Sequence, residues 1–337
     1  MTGTPALLEV DDLHVVFPSR EGAVRAVNGV SFALHRNEVL GIIGESGCGK
    51  SVTALSILGI LPPVARVTGG SIRYHGAGGT VTITDEARES ETMKAIRRND
   101  ISMIFQEPMT SFSPVHTIGN QITEAIAMMD EAQGIPRQRR RRELSERALD
   151  VLGRVGLNDP DILAAYPHNL SGGMRQRAMI AMAVACEPRI LIADEPTTAL
   201  DVTLQAQALN LMLEMQRSMQ MAVILVTHDL GVIAEITERV VVMYLGRVVE
   251  TAPVGPLFAR PEHPYSRALL ASIPRLSGPI EALAPIRGMV PSPYEMPPGG
   301  PFHTRCDEFV PGRCDRDTPA TVAVAADHRV ACLIRGG

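Results

Sequence analysis

The sequence predicts an α/β protein with a mostly parallel sheet and helices on both faces. Three apolar runs, Val39–Gly44, Arg189–Asp194 and Ala222–Thr227, have the continuous character of buried parallel strands. Each is followed by a helical stretch, and strands alternating with helices are the signature of this architecture.

The elements follow in order. Leu8–Val10, Leu13–Phe17 and Val30–Leu34 alternate as strands, with turns at Pro18–Gly22 and His35–Glu38. Val39–Gly44 runs into a glycine-rich loop, and a helix is expected from Lys50 to about Leu58, stopped by Gly59 and the two prolines after Leu61. Gly69–Asp85 reads as an edge hairpin and Asp100–Gln106 as another buried strand. Helical patterns broken by Pro136 and Pro160 predict a helical subdomain over about residues 107–170. Beyond Ser171 come helix to Cys186, strand 189–194, helix 204–220, strand 222–227, helix 231–238 and a strand pair over 240–249. Dense prolines after Ala252 set off a C-terminal extension, so the expected domains are 1–255 and 256–337.

Composition excludes several classes. The chain has 337 residues, 32 Lys plus Arg against 37 Asp plus Glu, and a net charge of −5, so no nucleic-acid partner is expected. No apolar stretch approaches the ~20 residues of a membrane helix, and the N-terminus lacks the layout of a signal peptide. Five cysteines in a chain this long do not make a disulfide scaffold.

Gly44-Glu45-Ser46-Gly47-Cys48-Gly49-Lys50-Ser51 fits the G-x-x-x-x-G-K-[ST] phosphate loop between a strand and a helix. Its glycines let several N–H groups turn towards a phosphate, and the helix N-terminus adds positive potential. Lys50 is expected on the β- and γ-phosphates of ATP, Ser51 on Mg²⁺, and Val52 continues the cradle. Cys48 is a filler position. Ile190–Glu195 then ends in two adjacent acids, costly without a cation; Asp194 is expected on the Mg²⁺ side and Glu195 on the attacking water.

Leu170-Ser171-Gly172-Gly173-Met174-Arg175-Gln176-Arg177 resembles the LSGGQ-type signature of ABC ATPases, and Ser171 lies 23 positions before Asp194. Gln106 matches the family's Q-loop glutamine, Ala199-Leu200-Asp201 its D-loop, His228 its switch histidine and Phe17 the aromatic that stacks on adenine. The resemblance implies a P-loop NTPase (RecA-like) core with an antiparallel β subdomain, an α-helical subdomain and a C-terminal extension. It also implies ATP sandwiched between two ATPase subunits, identical or homologous, with Ser171, Gly172, Gly173, Gln176 and Asp201 serving the partner's nucleotide. Gln106 and His228 would sense the Mg²⁺, the γ-phosphate and the water.

Three features narrow the branch. Gln106-Glu107-Pro108-Met109-Thr110-Ser111 resembles the QEPMTSL stretch of oligopeptide/dipeptide permease ATPases. His263-Pro264-Tyr265-Ser266 resembles the HPYT-type segment that opens their extension, and Cys306, Cys314 and Cys332 resemble their cysteine-bearing end. The implied role is the ATP-hydrolysing subunit of an importer at the cytoplasmic face of the membrane, working with two membrane permease subunits and an extracytoplasmic solute-binding protein. Peptides are the expected solute; the alternatives are the same motor role for oligosaccharides, nickel or another solute, and after these a non-transport ABC ATPase. In relatives the tail has four cysteines and can carry a 4Fe–4S cluster, whereas Gly300 stands where the first is expected. Three outcomes stay open: a cluster completed by His303, Asp307 or a non-protein ligand, a zinc site, or no metal.

Overall fold

The structure is a computed structural model and describes residues 5–20, 22–106, 111–132, 140–197, 201–272 and 286–335. The chain divides into two compact units, one of Met1–Asp85 with Val226–Gly337, the other of Glu86–Leu225.

In the first unit, β1 (Ala6–Ser19) and β2 (Gly22–His35) form an antiparallel pair. On the other side of β1 lies β4 (Arg66–Gly76), edged by β5 (Gly79–Thr82). The sequence suggested two short strands either side of Asp11–Asp12; β1 is continuous instead. A bulge shifts the register between Val10 and Leu13, with Asp12 at φ 47, so Leu8, Val10, Leu13 and Val15 all stay buried.

The same unit holds β3 (Val39–Ile43), parallel to β9 (Arg239–Tyr244), with β10 (Arg247–Pro253) antiparallel beyond it. Every residue of β3 is buried. The tail then adds a hairpin, β11 (Val322–Ala325) and β12 (His328–Val330), with β12 pairing β10 at Glu250↔Val330. Glu250, 1% exposed, accepts from His328 Nε2 at 2.7 Å and from the backbone N–H groups of Glu262 and His263 at 2.8 and 2.9 Å. One buried carboxylate thus ties the tail hairpin to the segment before the last helix, a role a buried charge can sustain because each partner compensates its desolvation. Among the described residues, the α-helices of this unit are α1 (Lys50–Ile57), α7 (Leu230–Ile236), α8 (Val254–Ala259) and α9 (Pro264–Ala271).

In the second unit, β6 (Ile101–Ile104), β7 (Ile190–Asp194) and β8 (Ala222–Val226) lie side by side, with β7 central. β6 and β7 are parallel, Ile104 opposite Ala193. β7 and β8 are buried throughout, which explains their unbroken apolar sequences. The helical stretch is α3 (Ile118–Ala132) packed on α4 (Arg140–Arg154). Ile118, Ile122 and Ile126 repeat every four residues and are buried on α3, as are Ala148, Val151 and Leu152 on α4. Arg147 reaches buried Asp130 across this pair at 2.7 Å. Also described in this unit are the helices α2 (Glu91–Asn99), α5 (Gly172–Val184) and α6 (Val202–Met219). The sequence left α2 unassigned; Ser90 caps it by accepting from the Met93 N–H at 3.1 Å.

Candidate active site

The phosphate loop joins β3 to α1. Its shape depends on glycine at two points. Gly44 has φ 155, and a Cβ there would lie 2.2 Å from the Met243 carbonyl oxygen; Gly49 has φ 102, and a Cβ would lie 2.3 Å from the Ala26 oxygen. Only a residue without a side chain brings the loop this close to its neighbours. Gly49 also caps α1 with no side-chain hydrogen bond, so the first N–H groups of the helix face outwards unclaimed by a cap. That cradle suits a polyphosphate.

Lys50 is buried, and its ammonium donates to the Gly44 and Glu45 carbonyls at 2.7 and 3.2 Å. Phosphate oxygens are charged acceptors and compete well with such neutral ones. Ser46, Gly47 and Ser51 are exposed, and Val52 is half-buried. Burial pushes the Cys48 thiol up, so it stays protonated and inert at neutral pH, as its filler position suggested.

His228 is exposed immediately after β8. The preceding Thr227 donates its N–H to the Ile42 carbonyl at 3.3 Å, two residues before the loop. Asp229 accepts from the Gly231 and Val232 N–H groups and caps α7, so the histidine sits on a braced turn. Phe17 is half-buried on β1 opposite Val24.

The second unit carries the acids. Asp194 is buried at the end of β7. Glu195 follows at φ 47, a left-handed conformation costly for a residue with a Cβ and characteristic of sites under functional constraint. The β6–β7 register brings Gln106 alongside, and its Nε2 donates to Glu195 Oε2 at 3.0 Å. Two residues 89 positions apart are therefore in direct contact.

Ser171 caps α5, its hydroxyl accepting from the Met174 N–H at 3.3 Å. Ser171 and Gly172 are exposed and Gly173 half-buried. Gln176 faces inwards, buried, and its amide donates to the Pro196 carbonyl, bracing the turn that follows Glu195. Asp201 caps α6 by accepting from the Leu204 N–H at 2.9 Å. Ala199 and Leu200 of the D-loop, and residues 107–110 of the stretch after Gln106, lie outside the described residues.

Cys306, Cys314 and Cys332 line one pocket with His303 and Gly300, and all three are free thiols. Burial, with Cys332 and Cys314 close by, pushes the Cys306 thiol up. Of the candidate fourth ligands, Asp307 is exposed and paired with Arg287 at 3.2 Å, and His303 Nδ1 bonds the Gly300 carbonyl at 2.9 Å. Among the described residues no three His, Cys, Asp or Glu side chains are grouped to hold a metal ion. The donor set does not match a Cys₄ cluster.

One contact was not foreseen. Arg305 of the extension reaches Glu45 of the phosphate loop with both ends of its guanidinium, Nη1 to Oε2 at 2.7 Å and Nη2 to Oε1 at 3.2 Å. Burial opposes the charge on Arg305, but hydrogen bonds to Glu45 and Tyr244 outweigh it and raise the pKa. Tyr265 is fully buried, which pushes its phenol far up, and its oxygen accepts the Glu45 N–H at 2.9 Å.

Residues 27–198 match the family profile described as ABC transporter. The chain belongs to the ABC transporter family. Its fold is the P-loop ATPase cassette and its activity ATP hydrolysis, for which the family implies Mg-ATP. Residues 249–314 of the cassette chain match a second profile, the oligopeptide/dipeptide transporter C-terminal region. The chain is 50% identical to the probable peptide ABC transporter ATP-binding protein y4tR of Sinorhizobium fredii, covering 97% of this chain and 94% of that protein. It is 47% identical to the dipeptide transport ATP-binding protein DppD of Bacillus subtilis, over 98% and 95%. Among solved structures, the dimeric bacterial ABC transporter cassette MJ0796 superposes with a TM-score of 0.63 at 25% identity, covering 73% of this chain and 98% of that one.

Proposed function

We propose that this cassette is the motor of a peptide importer, acting on separate membrane permease subunits that an extracytoplasmic solute-binding protein supplies. The match of residues 249–314 to the oligopeptide/dipeptide C-terminal region carries this reading, supported by peptide-transport relatives along nearly the whole chain. Among the described residues no helix is long and apolar enough to cross a membrane. Residues 1–255 act as the ATPase domain, with 107–170 facing the permeases, and 256–337 as the extension.

Gly44–Ser51 and Val52 hold the phosphates, Lys50 supplies charge at the β- and γ-phosphates, and Phe17 stacks on the base. Ser51, Asp194 and Gln106 would hold Mg²⁺, which when bound supplies charge neutralisation on the phosphate oxygens. Glu195 accepts a proton from the attacking water, Gln106 holds the Glu195 carboxylate in place, and His228 donates to the γ-phosphate. Ser171, Gly172, Gly173 and Asp201 serve the nucleotide of a second ATPase subunit, whereas Gln176, expected among them, is buried and braces the turn after Glu195 instead. The three cysteines take no part in the cycle, and the cluster of relatives is left out of it.

Reconstitution with its permeases in vesicles tests the solute: ATP-dependent uptake of labelled di- and oligopeptides is expected and should vanish in Lys50→Ala. Uptake of a sugar or nickel instead would replace the substrate but keep the motor. For the shared site, inactive Ser171→Arg and inactive Lys50→Ala should recover activity when mixed, if the chain pairs with itself; a mixture as dead as its components would argue against it.

A further inference from the structure

The Glu45 carboxylate raises a physical problem. It sits within the loop that has to receive a polyphosphate, and an uncompensated negative charge there opposes binding. The extension supplies the compensation. Arg305, its side chain 4% exposed, pairs bidentately with Glu45, and the guanidinium lies 5.8 Å from the Tyr244 ring centre and 5.9 Å from that of Phe302. Its Nε donates to the Arg287 carbonyl at 2.9 Å. A planar fork held on all sides keeps the carboxylate in one orientation.

Tyr265 works on the backbone of the same residue. The Glu45 N–H, bonded to Tyr265, and the Gly44 carbonyl, bonded to Lys50, belong to one planar peptide unit. Turning that plane would break both bonds together. The Tyr265 hydroxyl therefore sets the carbonyl against which the Lys50 ammonium rests. Tyr265 is itself wedged between Tyr244 and Phe302, at centroid distances of 4.7 and 5.3 Å.

We infer that Arg305 and Tyr265 are positioning residues of the phosphate loop, Arg305 neutralising Glu45 and Tyr265 orienting the Gly44–Glu45 peptide and, through it, Lys50. The extension thereby tunes nucleotide affinity. The inference rests on the reading of residues 44–51 as the ATP phosphate site.

The test is calorimetric titration of Mg-ATP and Mg-ADP into the full chain and its variants, with thermal melts to establish folding. Arg305→Met should weaken ATP at least tenfold, and more than ADP, because the exposed carboxylate acts on phosphate charge. Glu45→Gln removes the charge to be compensated, so on that background Arg305→Met should cost less than threefold where alone it costs tenfold. That rescue separates charge compensation from a general loss of the extension. Should Arg305→Met fail to fold, Arg305→Lys carries the same test, with intermediate weakening again relieved by Glu45→Gln. Tyr265→Phe keeps the ring and should weaken ATP three- to tenfold without rescue by Glu45→Gln. Unchanged affinity in Arg305→Met, or a double variant as weak as Arg305→Met, would overturn the role of Arg305; unchanged affinity in Tyr265→Phe would overturn that of Tyr265. A wild-type chain that binds no Mg-ATP would overturn the phosphate-loop reading itself.

Discussion

The phosphate loop and the end of β7 solve the same problem, holding charge at a fixed place, by opposite means. The loop uses backbone: glycines at φ 155 and 102 admit close approach, and its lysine rests on carbonyls. The β7 end uses side chains: two consecutive acids, the second forced to φ 47 and held by Gln106. A glycine loop adopts its geometry at little strain, whereas Glu195 keeps its conformation only because its surroundings impose it. In the proposed cycle, binding rests on relaxed backbone and the chemical step on a strained residue.

The sharpest break is Glu195→Gln. The amide cannot take the proton of water, so hydrolysis should fall at least about 100-fold while Mg-ATP affinity stays near wild type, read by phosphate release beside equilibrium binding. Normal turnover would remove Glu195 from its role. Gly49→Ala should show the opposite profile. A methyl 2.3 Å from the Ala26 oxygen at φ 102 costs about 3 kcal/mol or more, seen as a lower melting temperature and lost ATP affinity together. Gln106→Ala removes the bond to Glu195 and leaves its backbone alone; kcat should fall roughly tenfold, about 1.4 kcal/mol, and the Mg²⁺ concentration needed for half-maximal activity should rise, since Gln106 would also hold the ion.

The smallest effect concerns the brace on the loop. His263 is buried next to Arg267, and first burial, then that charge, depress its pKa to about 3. Its neutral Nδ1 accepts the Tyr265 N–H at 3.0 Å. The unfolded chain takes up a proton near pH 6.5 that the folded one refuses until about 3, so this contribution is full above 6.5 and declines as pH falls below it. Hydrogen exchange in residues 264–271 should quicken between pH 7.5 and 5.5. In His263→Asn, which keeps an acceptor without the titration, that change should shrink; an equal change would assign the acid sensitivity to other groups.

Much of this was legible in the chain itself. The buried parallel strands announce themselves as apolar runs, and the helices ending near Cys186 and Gln220 fall within about two residues of expectation. Where the sequence misled, local signals were weak or ambiguous. The acid pair Asp11–Asp12 imitates a turn but forms a bulge, and α2 buries only Met93 and Ile96, too few for a period to show. The β11–β12 hairpin is short and mostly exposed, and it exists through pairing with β10.

The amino-acid order by itself determined the glycine loop, the buried acid strand and the helix beginning at Ser171, because glycine freedom, apolar continuity and helix propensity act between near neighbours. Tertiary structure alone decided that Gln106 holds Glu195, that Gln176 turns inwards, and that Tyr265 and Arg305 grip Glu45 from 220 and 260 positions away. Contacts across such separations leave no periodicity in the chain; they exist only once sheets and helices have carried their residues together.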